Sequence, residues 1–190
     1  MLRTFALSLP VVVAASMAAA VEAPPAMTAF VETDIMSWAQ SQQVIDAVNE
    51  KNGKTAGVSA AQIEEWDTQW RAEVGQTDQP LVSAVMSHPL SAFLSEQVAA
   101  SGGRITEIFV MDAVGLNVAA SDVTSDYWQG DEDKHIKTYG VGPDAIHVSE
   151  IEFDESTQTY QGQVSFTLTD PATNQVVGAM TVGLNAEAFY

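Results

Sequence analysis

The chain has no cysteine, only 7 Lys and Arg residues and only 3 histidines among its 190 residues. Without thiols there is no disulfide framework, no thiolate metal site and no cysteine nucleophile. The few basic residues face 25 Asp and Glu, which leaves a formal net charge of −18. Such a field repels phosphate backbones and anionic lipid surfaces, whose grip on proteins comes chiefly from Lys and Arg clusters. Nucleic acid is therefore not an expected partner. His88, His135 and His147 fall in different segments and show no metal-ligand spacing. No serine sits in a G-x-S-x-G context, and no Gly-rich phosphate loop is present. Acidic pairs are abundant, but a chain this acidic supplies them by chance. The expectation is a protein that is not an enzyme and carries no cofactor.

Long apolar runs are also missing after the N-terminus. Residues 1–20, MLRTFALSLPVVVAASMAAA, have the layout of a secretory signal peptide: Arg3, an apolar stretch from Phe5 to Ala15, and small residues at Ala18 and Ala20. Ser8, Pro10 and Ser16 interrupt the run, which falls short of the roughly 20 strongly apolar residues of a membrane span. The mature chain is expected to be periplasmic or secreted after cleavage near Ala20, and not embedded in a membrane.

Hydrophobic residues make up 46% of the chain, enough for one buried core. After a Pro-rich lead-in over 21–27, the domain is expected to span 28–190, helical over 28–101 and sheet over 104–189. Val31, Ile35, Trp38, Ile45 and Val48 recur at helical spacing, so one long helix is expected over Thr28–Glu50, closed by Asn52-Gly53. Its stripe can serve as core or as the face of a homodimer. A second helix starts at Ser59, with Gln62 placed to complete a capping box, and runs to about Val74. A third segment opens at Asp78 and Pro80 and is broken by His88-Pro89. A fourth helix covers about Leu90–Ala100 and stops at Gly102-Gly103.

Beyond Gly103 the period becomes two. Strands are expected at Ile105–Met111, Leu116–Ser121, Ala145–Phe153, Tyr160–Leu168 and Gln175–Leu184, with polar turns at Asp154–Thr157 and Asp170–Asn174. Adjacent hairpins imply an antiparallel sheet. The fold class is thus α+β: N-terminal helices, one of them long, packed on a five-stranded antiparallel sheet.

Between the second and third strands lies SDYWQGDED, residues 125–133, where two rings sit among carboxylates. From Gly130 onward it reads as the start of a helix over Asp131–Tyr139, with Asp131 as N-cap and Glu132 and Asp133 at the positive end of the helix dipole. Tyr127 and Trp128 serve equally well as core or as a pocket wall. Asp122, Asp126, Asp131, Glu132 and Asp133 could also hold calcium, although their spacing does not fit an EF-hand loop.

The order FVMDAVG, LNVAAS, SDYWQGDEDKH, IHVSEIEFDESTQTYQGQVSFTLTD and VVGAMTVGLNAEAF resembles an extracytoplasmic sensor domain of the PDC or Cache type, a PAS-like fold. The resemblance implies that the segment after the second strand helps enclose a small-molecule pocket. Asp126, Tyr127, Trp128, Gln129 and Asp131 match that segment, and His147 and Tyr160 are placed to line the same face. Rings beside carboxylates attract a small polar ligand, neutral to cationic. The expected function is therefore a non-catalytic sensor-like domain that passes its bound state to a membrane receptor. A protein-interaction module without a ligand and a calcium-binding domain are the alternatives.

Overall fold

The computed structural model describes residues 21–154 and 159–190. The expected signal peptide and most of the turn expected over Asp154–Thr157 lie outside the described residues. Helix α1 (Pro25–Phe30) opens on a proline, whose missing N–H costs no helical bond in the first turn. A π-helical turn, Val31–Ile35, leads into α2 (Met36–Ala39), and the chain restarts as α3 (Gln42–Thr55). The single helix expected over Thr28–Glu50 is thus broken at Gln40-Ser41. The sheet takes the Gln40 side chain: Nε2 donates to the Thr167 carbonyl at 2.9 Å, and Oε1 accepts from the Thr169 amide at 3.1 Å. Apolar spacing hides this break, because residues on both of its sides face the same core.

Asn52-Gly53 does not close the helix either. Asn52 donates to the Val177 carbonyl and accepts from the Ala113 amide, both at 2.8 Å, and these tertiary bonds outweigh its turn propensity. Val31, Ile35, Val44, Ile45 and Val48 are all buried in the chain's own core. These residues of the stripe serve as core. Each such aliphatic contributes about 1.5–3 kcal/mol relative to exposure.

Helix α4 (Ala60–Glu73) starts as expected, with Ser59 Oγ accepting from the Gln62 amide at 3.2 Å. The Gln62 side chain turns instead to Glu65, so the capping box is half formed. Helices α5 (Pro80–Met86) and α6 (Pro89–Ala100) follow. His88 caps α6 through Nδ1, which accepts from the Leu90 amide. Gly102 and Gly103, at φ +66 and +84, stop it in the left-handed region.

Among the described residues the sheet has six strands: β1 (Ile105–Met111), β2 (Asn117–Ala120), β3 (Ile146–Val148), β4 (Glu152–Asp154), β5 (Thr159–Asp170) and β6 (Gln175–Asn185). Their order is β2-β1-β6-β5-β3, with β4 also on β5, and every pairing is antiparallel. The strand expected over Ala145–Phe153 is two. Ser149 Oγ accepts from the Gln163 amide in place of a backbone carbonyl, and the Ile151 amide turns to the Val21 carbonyl at 2.9 Å. One face of the sheet carries Ile108, Val110, Val164, Phe166, Leu168, Met180, Val182 and Leu184, all buried under the helices. The opposite face is polar along Gln161, Gln163 and Ser165 of β5, because side chains alternate along a strand.

Helix α7 (Asp133–Ile136) packs on that polar face. It is far shorter than the helix expected over Asp131–Tyr139, and Glu132, not Asp131, takes its N-cap position. Thr138 Oγ1 bonds back to the Lys134 carbonyl at 2.6 Å and the glycine-rich stretch beyond it favours turns, so the helix ends early.

Three layers meet at Asp112, just after β1. Its carboxylate is fully buried. Oδ1 accepts from the amides of Val114 (3.0 Å) and Leu116 (2.8 Å), and Oδ2 accepts from Thr55 Oγ1 of α3 at 2.8 Å. Its backbone carbonyl meets His135 Nε2 of α7 at 3.2 Å. Asp112→Ala leaves the amides of Val114 and Leu116 without their acceptor, takes one of two acceptors from the Thr55 hydroxyl, and strips the nearby Lys51 of its countercharge. It is expected to lower the unfolding free energy by about 3–5 kcal/mol in urea titration, and a loss below about 1 kcal/mol would contradict this role.

Candidate functional site

Residues 124–130 form a strap along the outer edge of β2. The Asn117 amide donates to the Tyr127 carbonyl at 3.0 Å and the Gln129 amide to the Gly115 carbonyl at 2.8 Å, with Leu116 and Trp128 bridged between them. Gly115, at φ +88, and Gly130 lie so close that a β-carbon on either would collide with the other segment. Buried Asp67 of α4 fastens the strap from the helix side. Its Oδ1 accepts from the amides of Tyr127 (2.9 Å) and Trp128 (3.0 Å), and its Oδ2 pairs with Arg71 at 2.7 Å.

The strap's side chains turn toward the helices. Tyr127 is buried, stacked on Trp70 at 5.3 Å between ring centroids, and its hydroxyl accepts from Lys51 Nζ. Burial, and secondarily the Asp112 charge, push the Tyr127 hydroxyl well above the usual phenol range; burial holds the Lys51 ammonium below its ordinary value. Trp128 donates its indole N–H to the Val114 carbonyl at 2.8 Å, and Asp126 is ion-paired with Arg71 at 3.0 Å. Gln129 is buried, donating to the Asp126 carbonyl at 2.9 Å and accepting from Lys134 Nζ at 3.2 Å.

The open site lies on the polar face, between α7 and the strands β3, β4 and β5. It is a groove of about 630 Å³. One wall is α7 with Glu132, Asp133, Lys134 and Lys137; the floor is Gln161, Gln163 and Ser165; the far wall is His147, Ser149 and Glu152. Lys134 pairs with Glu132 at 2.9 Å and also lies 5.3 Å from the centroid of the Phe109 ring; Lys137 pairs with Asp133 at 2.6 Å. The Lys137 hydrogen bond holds the Asp133 carboxyl below its usual range. Ser165 Oγ shares a hydrogen bond with Thr181 Oγ1 at 2.9 Å. A second concavity of about 700 Å³, beside α1, carries Glu22, Glu32 and Glu150 and, among the described residues, no basic one.

Burial holds the pKa of His147 below the ordinary imidazole value, with Lys137 adding to the shift and Asp133 opposing it. His135, on the inner side of α7, is buried and stacked on Tyr139 at 5.1 Å. Burial lowers its pKa too, against the Asp112 carbonyl and charge. Both shifts favour the neutral ring.

Of the residues singled out in the sequence, His147 lines the groove and Gln129 reaches it through Lys134. Asp126, Tyr127 and Trp128 are engaged in fastening the strap. Asp131 is exposed at its end. Tyr160 does not line the groove; by alternation it falls on the same face of β5 as Val164, half exposed and paired edge-on with Phe153, which does line it. Sequence reasoning missed Lys134, Lys137, Gln163 and Ser165. One signal was available: two of the 7 basic residues of a very acidic chain lie three apart in DKHIK. Of the carboxylates considered for calcium, Asp126, Glu132 and Asp133 are paired with cations, and among the described residues no three acidic or histidine groups converge on a metal position.

The structure is similar to sensor domains of histidine kinases and chemoreceptors. The extracellular domain of a putative histidine kinase matches with a TM-score of 0.45 and 15% identity, covering 75% of this chain and 61% of its own. The ligand-binding domain of the Campylobacter jejuni chemoreceptor Tlp3, in complex with 4-methylisoleucine, matches with a TM-score of 0.40 and 10% identity over 85% of this chain and 64% of its own. The Pseudomonas aeruginosa amino acid chemoreceptor domain solved in complex with GABA gives a TM-score of 0.37 and 12% identity, over 74% and 62%. The chain thus spans less than two thirds of these structures' length. No protein-family model and no curated protein matches the sequence.

The two histidines tie stability to pH. Their folded pKa values lie below the unfolded value of about 6.5, so the unfolded chain takes up protons first as pH falls, and the stabilisation present above that value is lost on acidification. Between about pH 7.5 and 5.5, thermal unfolding should shift further for the wild type than for His135→Asn. Equal shifts would show that His135 does not contribute.

Proposed function

We propose that this domain binds a small polar molecule in the groove beneath α7 without transforming it, and that it works as an extracytoplasmic sensor-like module. One observation carries the reading. In a chain of net charge −18, Lys134 and Lys137 converge on one concave face beside Asp133, Glu132 and His147. A site with both signs of charge suits a ligand with both signs, such as an amino acid, better than a purely cationic one. The α7 wall supplies the anion-binding end, and the carboxylates and amides around the floor supply acceptors.

His147 is proposed to contact the ligand and Gln129 to act through Lys134. Asp126, Tyr127 and Trp128 hold the strap that carries α7. Asp131 and Tyr160 stay outside the contact. The order of elements in the sequence supports the same sensor reading, and the signal-peptide pattern of residues 1–20 supports a periplasmic or secreted location. No described helix is long and apolar enough to cross a membrane, and a separate membrane-bound signalling or transport partner fits this proposal.

Thermal-shift screening with free amino acids, amines and organic acids tests it. A ligand at a hundred times its Kd should add about 2.7 kcal/mol of stability, and Lys137→Glu should abolish the shift. Stabilisation that survives Lys137→Glu unchanged would overturn the site, and one confined to dicarboxylates would overturn the ligand class.

A further inference from the structure

The floor of the groove is set by a residue that does not line it. Glu107 of β1, Gly183 of β6 and Gln163 of β5 stand in one register row across three strands. The Glu107 side chain crosses the bare Gly183 and reaches β5, two strands away. There its Oε1 accepts from Gln161 Nε2 at 2.7 Å and from Gln163 Nε2 at 3.0 Å. The crossing needs glycine: a β-carbon at 183 would sit 2.6 Å from Glu107 Cγ and 2.6 Å from Thr106 Oγ1. A bulge between Ile105 and Glu107 brings Thr106 onto the same side, and its hydroxyl donates to Gln161 Oε1.

These contacts decide which atoms the floor offers. The Gln161 amide is held at both ends. In Gln163 the NH₂ is committed to a carboxylate, which can only accept, so the amide cannot flip without placing its oxygen against that carboxylate. Gln163 Oε1 therefore points away from Glu107. Among the described residues no hydrogen bond reaches Gln163 Oε1 or Glu107 Oε2. The floor accepts, while the α7 wall donates through Lys134 and Lys137.

We propose that Glu107 is a positioning residue for ligand selection: through Gln163 it makes the floor a hydrogen-bond acceptor and so selects ligands carrying an ammonium at that end. This rests on the groove being the ligand site. In Glu107→Gln the new amide donates as well as accepts, Gln163 is free to flip, and the floor loses both its fixed polarity and its negative charge.

The test is calorimetric titration of the full chain with γ-aminobutyrate and with butyrate, which differ only in the amine. The wild type should bind γ-aminobutyrate about tenfold or more tightly than butyrate. Glu107→Gln should erase most of that ratio while changing the butyrate affinity by less than about twofold, with an unchanged melting temperature showing an intact fold. Gly183→Ala, which displaces the Glu107 side chain without altering charge, should lower the same ratio. Equal weakening of both ligands in Glu107→Gln, or an unchanged ratio, would overturn the role of Glu107. Lys137→Glu separates the two levels. If it abolishes binding of both ligands, the groove stands whatever Glu107 does; if it leaves both intact, or if neither ligand binds the wild type, the groove reading falls and the selection falls with it.

Discussion

A buried carboxylate organises this domain. Asp112 is fully removed from water, and a charge in that position is tolerable only when its lone pairs are filled and a countercharge is near. It is filled by the hairpin amides of Val114 and Leu116 and by Thr55 of α3, with Lys51 close by. Its backbone carbonyl meets His135. The helical layer, the sheet and α7 therefore share one anchor. The four-residue α7 has almost no intrinsic stability, since helices this short do not persist alone. It stays over the polar face because His135 and Tyr139 pack beneath it and the strap feeds into it from Gln129.

The strap works in the same economy of buried polar groups. Asp67 takes two of its amides, Gly115 and Gly130 let it approach the hairpin, and Tyr127 fills the space against Trp70. The groove is what remains open once these demands are met. Its α7 wall carries opposite charges already paired with one another, Lys134 with Glu132 and Lys137 with Asp133, so a ligand of the proposed kind would exchange salt bridges and not create them from solvated groups. Half-exposed pairs of this kind contribute only about 0–1 kcal/mol each, so exchanging them costs little.

The fold was legible where one interaction dominated. Alternation in Val164, Phe166 and Leu168 marked a half-buried strand, and Ser59, Pro80, Pro89 and Gly102 marked helix ends. It was illegible where a long-range hydrogen bond overruled a local preference: Gln40 breaking a helix to serve β5, Asn52 staying inside one, Ser149 splitting a strand. The site shows the same division. The segment Asp126–Gln129 stood out because rings beside carboxylates are unusual, yet its rings turned inward. Lys134 and Lys137 were passed over as part of a helix start, because no local pattern shows that a helix of four residues will lie across the floor formed by β5.

The most direct measurement is an NMR titration of the protein with a mixture of free amino acids, following the His147 imidazole and the Trp128 indole N–H. The groove predicts saturable shifts at His147 with the Trp128 signal unmoved, its hydrogen bond to Val114 intact. Shifts at Trp128 with His147 silent would place the ligand behind the strap and contradict the groove.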